Sequence, residues 1–570
     1  MFLPTSLEEA RRLGWDRVDV AIVSGDAYID SPYNGAAVIG RWLTESGFRA
    51  GIISQPRMDS GEDIGRLGEP SLFWSVTAGS VDSMVANYTP TGKFRKDDDF
   101  TPGGANDRRP DRAAIAYSNL IRRHFKGRPI ALGGIEASLR RVAHYDAWSD
   151  SVRRSVLFDA KADFITYGMA ELSNLELARA LRDGGDARGI RGTCVISREA
   201  RKGYAEMPSF ERCRDDPGAF LEAFRMFRDN GDPATASGLC QAHGDRFLVQ
   251  NPPSRHLSQS ELDRIHSMGY ERSVHPRCAA RGPVRAMETI KNSVTTHRGC
   301  YGGCSFCAIS AHQGRCVVSR SEESIIAEIE AIASSPGFNG IIYDLGGPTA
   351  NMYGIECPAK PVRGACRDRE CLYPSPCRYL PIDHSAQIRL LERASSVPGV
   401  KRAFVSSGVR HDMVVADRAH GREYVDALVG GGHVSGQLKI APEHSSEKVL
   451  GLMGKPGPEA LLRFKEMFDD SARCAGRDLF LTYYLMAAHP GCTEEDMREL
   501  GDFARRELRT NPEQVQIFTP TPSTASTAMY HARRNPRDGS EVRSERSPQM
   551  KQRQKEAVTR GRARDGRGRG

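Results

Sequence analysis

Long apolar runs are missing from this sequence of 570 residues. No stretch of about 18 or more apolar residues occurs, and the sequence therefore predicts no membrane-spanning helix. Residues 1–14 lack a basic start followed by an apolar core, so no signal peptide is expected. These absences favour a cytoplasmic protein that has no membrane partner.

Two glycine motifs that bind phosphates are also missing. The sequence contains neither a Gly-x-Gly-x-x-Gly turn nor a P-loop, which disfavours nicotinamide chemistry and nucleoside triphosphate hydrolysis. The fourteen cysteines do not indicate a disulfide scaffold, because such scaffolds belong to small secreted chains. Thiolates that bind metal or carry out redox chemistry are the better interpretation.

Hydrophobic residues make up 39% of the chain and charged residues 27%, a composition that can bury a large core. The net charge is +8, and much of the basic excess follows Arg533. Residues 531–570 contain few apolar side chains, and we expect a disordered basic tail there. The tail either contacts nucleic acid or acidic partners, or is a solvated charged segment.

Strands alternate with helices along most of the chain, which predicts an α/β fold with parallel sheets. We expect a doubly wound α/β domain in residues 1–285 and a second α/β domain in residues 286–530. Six strand–helix units in the second domain predict a partial barrel of six parallel strands, (β/α)6, and a doubly wound open sheet fits almost as well. The six predicted strands are Ser293–Thr296, Gly340–Asp344, Arg402–Ser406, Gly436–Ile440, Leu479–Met486 and Val515–Phe518.

Three closely spaced cysteines carry the clearest chemical signal. They form the motif Cys300-x3-Cys304-x2-Cys307, with Phe306 before the last cysteine and glycines beside the first two. A four-iron four-sulfur (4Fe-4S) cluster normally has four cysteine ligands, so three would leave one iron free to bind a small chelating molecule. The alternatives are a zinc site, which usually requires a fourth Cys or His, and unrelated buried thiols.

This motif resembles the signature of the radical S-adenosylmethionine (SAM) superfamily. The strings T-T-H-R-G-C-Y-G-G-C-S-F-C-A-I, D-L-G-G-P-T-A-N-M-Y, L-K-I-A-P-E-H and H-P-G-C resemble, more narrowly, the YgiQ-type family of bacterial radical-SAM proteins. The resemblance implies that Cys300, Cys304 and Cys307 ligate the cluster and that SAM chelates its fourth iron. It also implies an enzyme that cleaves SAM reductively to a 5′-deoxyadenosyl radical, which acts on an unknown substrate.

The same resemblance implies a set of contacts to SAM. Phe306 would pack near the cluster or the adenine, and the turn after the second strand would approach the amino group of SAM. That turn has Pro348 where the family has Glu, so another group must supply the contact. Polar residues at later strand ends complete the set. The residues implied to bind SAM are Phe306, Gly346, Gly347, Thr349, Ser406, Arg410, Lys439 and Glu443.

A second group of cysteines lies in a Pro- and Arg-rich insertion, residues 357–377. Its spacing matches neither a zinc ribbon nor a common ferredoxin pattern. The group either binds zinc or an auxiliary iron–sulfur cluster, or consists of structural or free thiols. We retain a second metal site as an expectation, because a loop of this length needs something to hold it. Its cysteines are Cys357, Cys366, Cys371 and Cys377.

The N-terminal domain distantly resembles the cobalamin-binding domains that are fused to many radical-SAM enzymes. It lacks their Asp-x-His-x-x-Gly motif, so a histidine ligand to cobalt is not expected. Residues 25–30 follow the first strand, where a ligand would bind in a doubly wound sheet. RNA and protein are the candidate substrates, and a flavodoxin- or ferredoxin-type reductant is expected. Rival functions are a non-catalytic iron–sulfur or zinc protein that binds nucleic acid, and an electron carrier that does not use SAM.

Overall fold

A computed structural model describes residues 1–367 and 369–559. Within these ranges, no helix combines the length and the apolar character that a membrane crossing requires. The N-terminal part of the chain contains thirteen strands among the described residues: β1 (Val20–Ser24), β2 (Ile29–Asp30), β3 (Ala50–Ser54), β4 (Phe73–Thr77), β5 (Ile130–Gly133), β6 (His144–Asp146), β7 (Ser151–Arg153), β8 (Phe164–Thr166), β9 (Thr193–Ser197), β10 (Ala205–Met207), β11 (Leu239–His243), β12 (Arg246–Gln250) and β13 (Ser273–Val274).

Nine of these strands form one sheet, in the order β10-β11-β12-β9-β8-β5-β4-β1-β3. The run β3-β1-β4-β5-β8 is parallel, and its order, 2-1-3-4-5, is that of a flavodoxin-like doubly wound sheet. β1 is buried along its whole length, as expected for a central parallel strand that helices cover on both faces. β9, β12 and β11 extend the sheet by antiparallel pairing.

Helices pack on both faces of this sheet. α2 begins at Gly35, after its cap Asn34, whose side chain accepts a hydrogen bond from the backbone of Ala37. The N-terminal helices are α1 (Leu7–Arg12), α2 (Gly35–Glu45), α3 (Ser83–Asn87), α4 (Ala113–His124), α5 (Gly134–Leu139), α6 (Val156–Asp159), α7 (Glu171–Arg182), α8 (Phe210–Asp215), α9 (Pro217–Asp229), α10 (Gln259–His266), α11 (Pro276–Ala279) and α12 (Met287–Ile290).

The second half of the chain carries the remaining described strands: β14 (Ser293–Thr295), β15 (His297–Arg298), β16 (Val318–Ser319), β17 (Ile341–Ile342), β18 (Asp344–Gly346), β19 (Arg402–Ala403), β20 (Gln437–Glu443), β21 (Phe480–Ala487) and β22 (Val515–Ile517). β14 pairs with β18, β17 with β19, β20 with β21 and β21 with β22, all in parallel. A parallel bridge between Val409 and Ile440 joins the segment after β19 to β20. The six predicted strands therefore lie side by side in chain order, as the partial barrel requires.

Helices between these strands bury an apolar core that includes Ile325, Leu390, Tyr424 and Phe464. The described helices of this half of the chain are α13 (Ile309–His312), α14 (Glu322–Ala333), α15 (Lys360–Arg363), α16 (Ser385–Ser396), α17 (His411–Ala416), α18 (Gly421–Gly430), α19 (Glu447–Met453), α20 (Glu459–Cys474), α21 (Glu494–Arg506), α22 (Ala525–Ala532) and α23 (Pro548–Thr559).

The expectation of a disordered tail from residue 531 is wrong for residues 531–559. α23 packs against α21 and buries Lys551, Gln554 and Val558. Gln554 accepts a hydrogen bond from the backbone of Ala488, and Lys551 donates one to the hydroxyl of Tyr530. Polar side chains that bond internally fold this segment, which is why its low apolar content was misleading. Residues 560–570 lie outside the described residues.

Candidate cluster and cofactor site

The three motif cysteines lie on the loop that follows β15, and each is partly exposed. Gly299 enters this loop with a φ of 85°, and a Cβ there would overlap the carbonyl oxygen of Cys316. Tyr301 is buried beneath the loop, where its hydroxyl accepts a hydrogen bond of 2.9 Å from the backbone of Cys357. The loop is therefore held from below, so that the thiols remain on its open side.

Arg410 approaches the thiols from the segment that joins β19 to α17. Its Nη1 donates to the Sγ of Cys304 at 3.5 Å, while Nε and Nη2 bind the carboxylate of Asp412 at 2.8 and 2.5 Å. Burial alone would raise the pKa of Asp412, but Arg410 lowers it to about 2. Burial alone would likewise lower the pKa of Arg410, but Asp412 and Cys304 raise it. A fixed cation thus faces the motif.

A buried polar network positions the backbone of Arg410. The side chain of Asn351 accepts from the Arg410 N–H at 2.8 Å and donates to its carbonyl at 3.1 Å. The same amide lies 3.1 Å from Nε2 of His384, whose Nδ1 lies 2.8 Å from the carboxylate of Asp417. Because Asn351 donates to Nε2, His384 carries its proton on Nδ1 and donates it to Asp417.

Asp344, the first residue of β18, binds the backbone of the segment that follows β19. Its Oδ1 accepts from the backbones of Ser406 and Ser407 at 2.8 and 2.9 Å. The Ser406 hydroxyl donates to the carbonyl of Tyr343 at 2.6 Å. Ser406 therefore links two strands in this structure.

A cavity of 170 Å³ opens beside the three thiols. We call it the cluster cavity. It is lined by Cys300, Cys304, Cys307 and, of the residues implied to bind SAM, by Phe306, Thr349, Arg410 and Glu443. The other four implied residues, Gly346, Gly347, Ser406 and Lys439, are not among the described residues that line it.

Two of those four residues instead shape the strand ends. A Cβ on Gly346 would meet the hydroxyl of Ser407, and one on Gly347 would meet the ring of His297. Their lack of a side chain permits the turn that carries Thr349 to the thiols, where its hydroxyl lies 3.7 Å from the Sγ of Cys300. The turn therefore delivers Thr349 to the motif.

Lys455 is a lining residue that the sequence reasoning missed. It lies 3.4 Å from Glu443 and 6.0 Å from the centre of the Phe306 ring. Glu443 has a φ of 69°, a strained conformation for a residue other than glycine, at the carboxyl end of β20. The turn Gly454-Lys455-Pro456-Gly457 was the only signal, and its packing against the motif depends on the tertiary fold.

The donor set fits a cluster that the protein ligates at three irons. All fourteen cysteines are free thiols, so none of the three is used by a disulfide. Burial raises the pKa of Cys300, and burial raises that of Cys307 to about 12, so these thiols are held protonated until a metal displaces the protons. The cavity beside them is faced by Arg410 and Thr349, neither of which ligates iron.

The second cysteine group does not form a compact site. Cys366 is exposed, Cys371 is buried, and no three of the four thiols lie within 4.8 Å of one another in the described ranges. The insertion is held instead by Leu372, which packs beneath the loop, and by Glu370, which pairs with Arg228 and Arg315. Apolar packing and ion pairs therefore hold this loop, and the second metal site, zinc or an auxiliary iron–sulfur cluster, stays a prediction.

Two protein-family models match this chain over residues 2–504. Residues 2–293 match the family model described as Radical SAM N-terminal, and residues 294–504 match the model described as Radical SAM superfamily. A UPF0313 protein of Fusobacterium nucleatum is 53% identical over 98% of both chains. UPF0313 proteins of Thermotoga petrophila and Geobacter sulfurreducens are 46% and 47% identical over 98% and 97% of this chain, and over 98% and 91% of their own.

Two solved structures align with most of this chain. OxsB, a cobalamin-dependent S-adenosylmethionine radical enzyme, aligns with a TM-score of 0.50 at 11% identity, over 90% of this chain and 55% of its own. TsrM from Kitasatospora setae, a radical S-adenosylmethionine methyltransferase, aligns with a TM-score of 0.49 at 15% identity, over 88% of this chain and 74% of its own. The likeness to OxsB shows a shared fold.

Proposed function

Because this chain belongs to the radical SAM superfamily and is an enzyme of that class, we propose that Cys300, Cys304 and Cys307 hold a 4Fe-4S cluster at which SAM binds. The observation that supports this proposal is the contact of Arg410 and Thr349 with the motif on the side of the cluster cavity. When bound together, the cluster and SAM supply a 5′-deoxyadenosyl radical that abstracts hydrogen from a substrate.

The residues around the cavity have separable roles in this proposal. Arg410 offers a fixed positive charge, which favours an electron-rich cluster and attracts the carboxylate of SAM. Glu443 and Lys455 form a charged pair at the end of β20. There Glu443 can pair with the amino group of a zwitterion, and Lys455 can pair with its carboxylate. Phe306 supplies an apolar face beside the thiols and excludes water.

The proposed cofactor set is the cluster and SAM, and the second cysteine group stays a predicted metal site. RNA and protein are the candidate substrates, and a flavodoxin- or ferredoxin-type protein is the proposed reductant. The rival functions, a zinc protein or an electron carrier that does not use SAM, both predict that the chain does not cleave SAM.

The test is SAM cleavage by the reconstituted, oxygen-protected full chain with a chemical reductant. The Cys304→Ala variant is expected to lose 5′-deoxyadenosine formation and the broad absorption near about 400 nm that comes from thiolate-to-iron charge transfer. Cys474→Ala, at an exposed thiol on α20, is the matched control and should retain both. Equal SAM cleavage by Cys304→Ala and the control would refute the proposal.

A further inference from the structure

A second cavity, of 370 Å³, lies at the carboxyl edge of the N-terminal sheet. We call it the sheet-edge cavity. Ser24, Thr77 and Gly133, at the ends of β1, β4 and β5, form its floor. β1 and β4 are the neighbours between which the strand order 2-1-3-4-5 reverses direction, and ligands of open α/β sheets bind in the crevice at that point.

The opposite wall of the sheet-edge cavity belongs to the cluster-binding half of the chain. Arg298, Ile309 and His312 line it from β15 and α13, which flank the cysteine motif. Ile309 also lines the cluster cavity, so this residue stands between the two spaces. A ligand in the sheet-edge cavity would therefore adjoin the cofactor site, which is the position that a substrate requires.

Two buried side-chain oxygens beside this cavity lack hydrogen-bond partners. Glu171 accepts from Arg298 at 2.5 Å through Oε1, but its Oε2 has no partner in the structure. Asn174 donates to Thr166 and Ala170 through Nδ2, but its Oδ1 has no partner. Both residues line the cavity and are only 2% exposed. A buried acceptor without a partner destabilises the fold, and a ligand with N–H donors would offset that loss.

The same end of the cavity also offers donors. α7 is a twelve-residue helix whose first residue is Glu171, and its N-cap, Ala170, has no side chain with which to bind the first-turn N–H groups. The N-terminal end of a helix favours hydrogen-bond acceptors and negative charge. Donors and acceptors are thus presented side by side, the pattern that a carboxamide or the amino edge of a nucleobase complements.

We propose that the sheet-edge cavity is the substrate site and that it binds a carboxamide or amino-nucleobase group against Glu171, Asn174 and the N-terminus of α7. The role of this cavity as a substrate site rests on the proposed function, whereas binding of the group itself needs no cluster. The volume lies within the range of about 300–1,000 Å³ that is typical of small-molecule sites.

The test measures binding of two matched pairs of probes to the reconstituted full chain by isothermal titration calorimetry. Adenine is paired with purine, and nicotinamide with methyl nicotinate, so that the second member of each pair lacks the amino or amide N–H donors. At least one of adenine and nicotinamide, which carry the amino or amide N–H donors, is expected to bind about tenfold or more tightly than its matched partner. Glu171→Gln, which replaces one acceptor by a donor, should reduce that ratio to about 1–2.

Gly35 permits a blocking variant that leaves the fold alone. It is exposed at the start of α2, lines the cavity, and a Cβ there would meet no atom within 4 Å. Gly35→Phe should therefore abolish probe binding. Gly430→Phe is the matched control, because Gly430 is also exposed and open, at the end of α18 and away from both cavities.

Three results would overturn the inference: equal affinity for both members of each pair, binding that survives Gly35→Phe, or binding of hydroxocobalamin alone, which would assign the cavity to a corrinoid. SAM cleavage is measured on the same samples. Probe binding without SAM cleavage would refute the proposed function but keep the cavity assignment, and SAM cleavage without probe binding would do the reverse.

Discussion

Nη1 of Arg410 lies 3.5 Å from the Sγ of Cys304, and the rest of that guanidinium is held by Asp412. Because the cation is fixed before any ligand arrives, its charge acts on whatever the thiols bind. A positive charge beside a redox centre favours the reduced, more negative state. Arg410 therefore links the geometry of the third barrel strand to the ease with which an electron enters the site.

Replacing Arg410 by glutamine should lower the midpoint potential of the reconstituted cluster and slow SAM cleavage, because the fixed charge is lost. Arg410→Lys should lie between the wild type and Arg410→Gln, since it keeps a charge but loses the two-pronged contact with Asp412. Redox titration followed by EPR measures the potential. Arg418→Gln, at an exposed position, is the control. A potential in Arg410→Gln equal to that of the control would show that the charge does not act on the cluster.

Replacing His384 by phenylalanine should reduce SAM cleavage by about tenfold, the equivalent of one buried hydrogen bond. The aromatic ring preserves the stack on Tyr424 but no longer binds Asn351, which positions the backbone of Arg410. Steady-state kinetics should show the change in kcat or in the KM for SAM. Asp417→Asn retains an acceptor for Nδ1–H and should keep most activity. Unchanged kinetics in His384→Phe would restrict the network to a role in stability.

Replacing Gly299 by alanine should lower the free energy of unfolding more than the same change at Gly47. Both glycines have φ near 90°, where a side chain costs about 1–2 kcal/mol, but a Cβ at Gly47 meets nothing within 4 Å. At Gly299 it would also overlap the carbonyl of Cys316, so the cysteine loop must shift. Iron content after reconstitution and the melting temperature should both fall in Gly299→Ala. Full iron loading of this variant would mean that the loop tolerates the shift.

Truncation after Arg546 should destabilise the fold, whereas truncation after Thr559 should not. The first removes α23, which leaves the Ala488 N–H without Gln554 and uncovers the apolar contact of Val558, a loss of about 3 kcal/mol. The second keeps α23 whole. Urea denaturation followed by circular dichroism compares the two truncated chains. Equal midpoints of urea unfolding would mean that residues 547–559 add no stability, as their composition suggests for a solvated tail.

The sequence predicts the two sheets well, because their strands are short buried apolar runs between glycines and polar turns. All six barrel strands occur within a few residues of their predicted bounds. Periodicity and turn residues are local signals, and these elements depend on local signals.

The parts that the sequence does not predict depend on contacts between distant segments. Lys455 meets Glu443 only after α19 has folded back, and His384 meets Asn351 across 33 residues. The C-terminal helix was missed for a related reason, since its buried groups, Lys551 and Gln554, are polar and gain their partners from other segments. Composition cannot distinguish such residues from solvated ones.

The central claim is that one iron at Cys300, Cys304 and Cys307 is left for SAM. EPR of the anaerobically reconstituted and reduced full chain, recorded with and without SAM, tests it directly. We expect the signal of a reduced 4Fe-4S cluster whose g values change when SAM is added, together with loss of the signal in Cys304→Ala. A metal centre at these thiols with four protein ligands and a spectrum indifferent to SAM would contradict it.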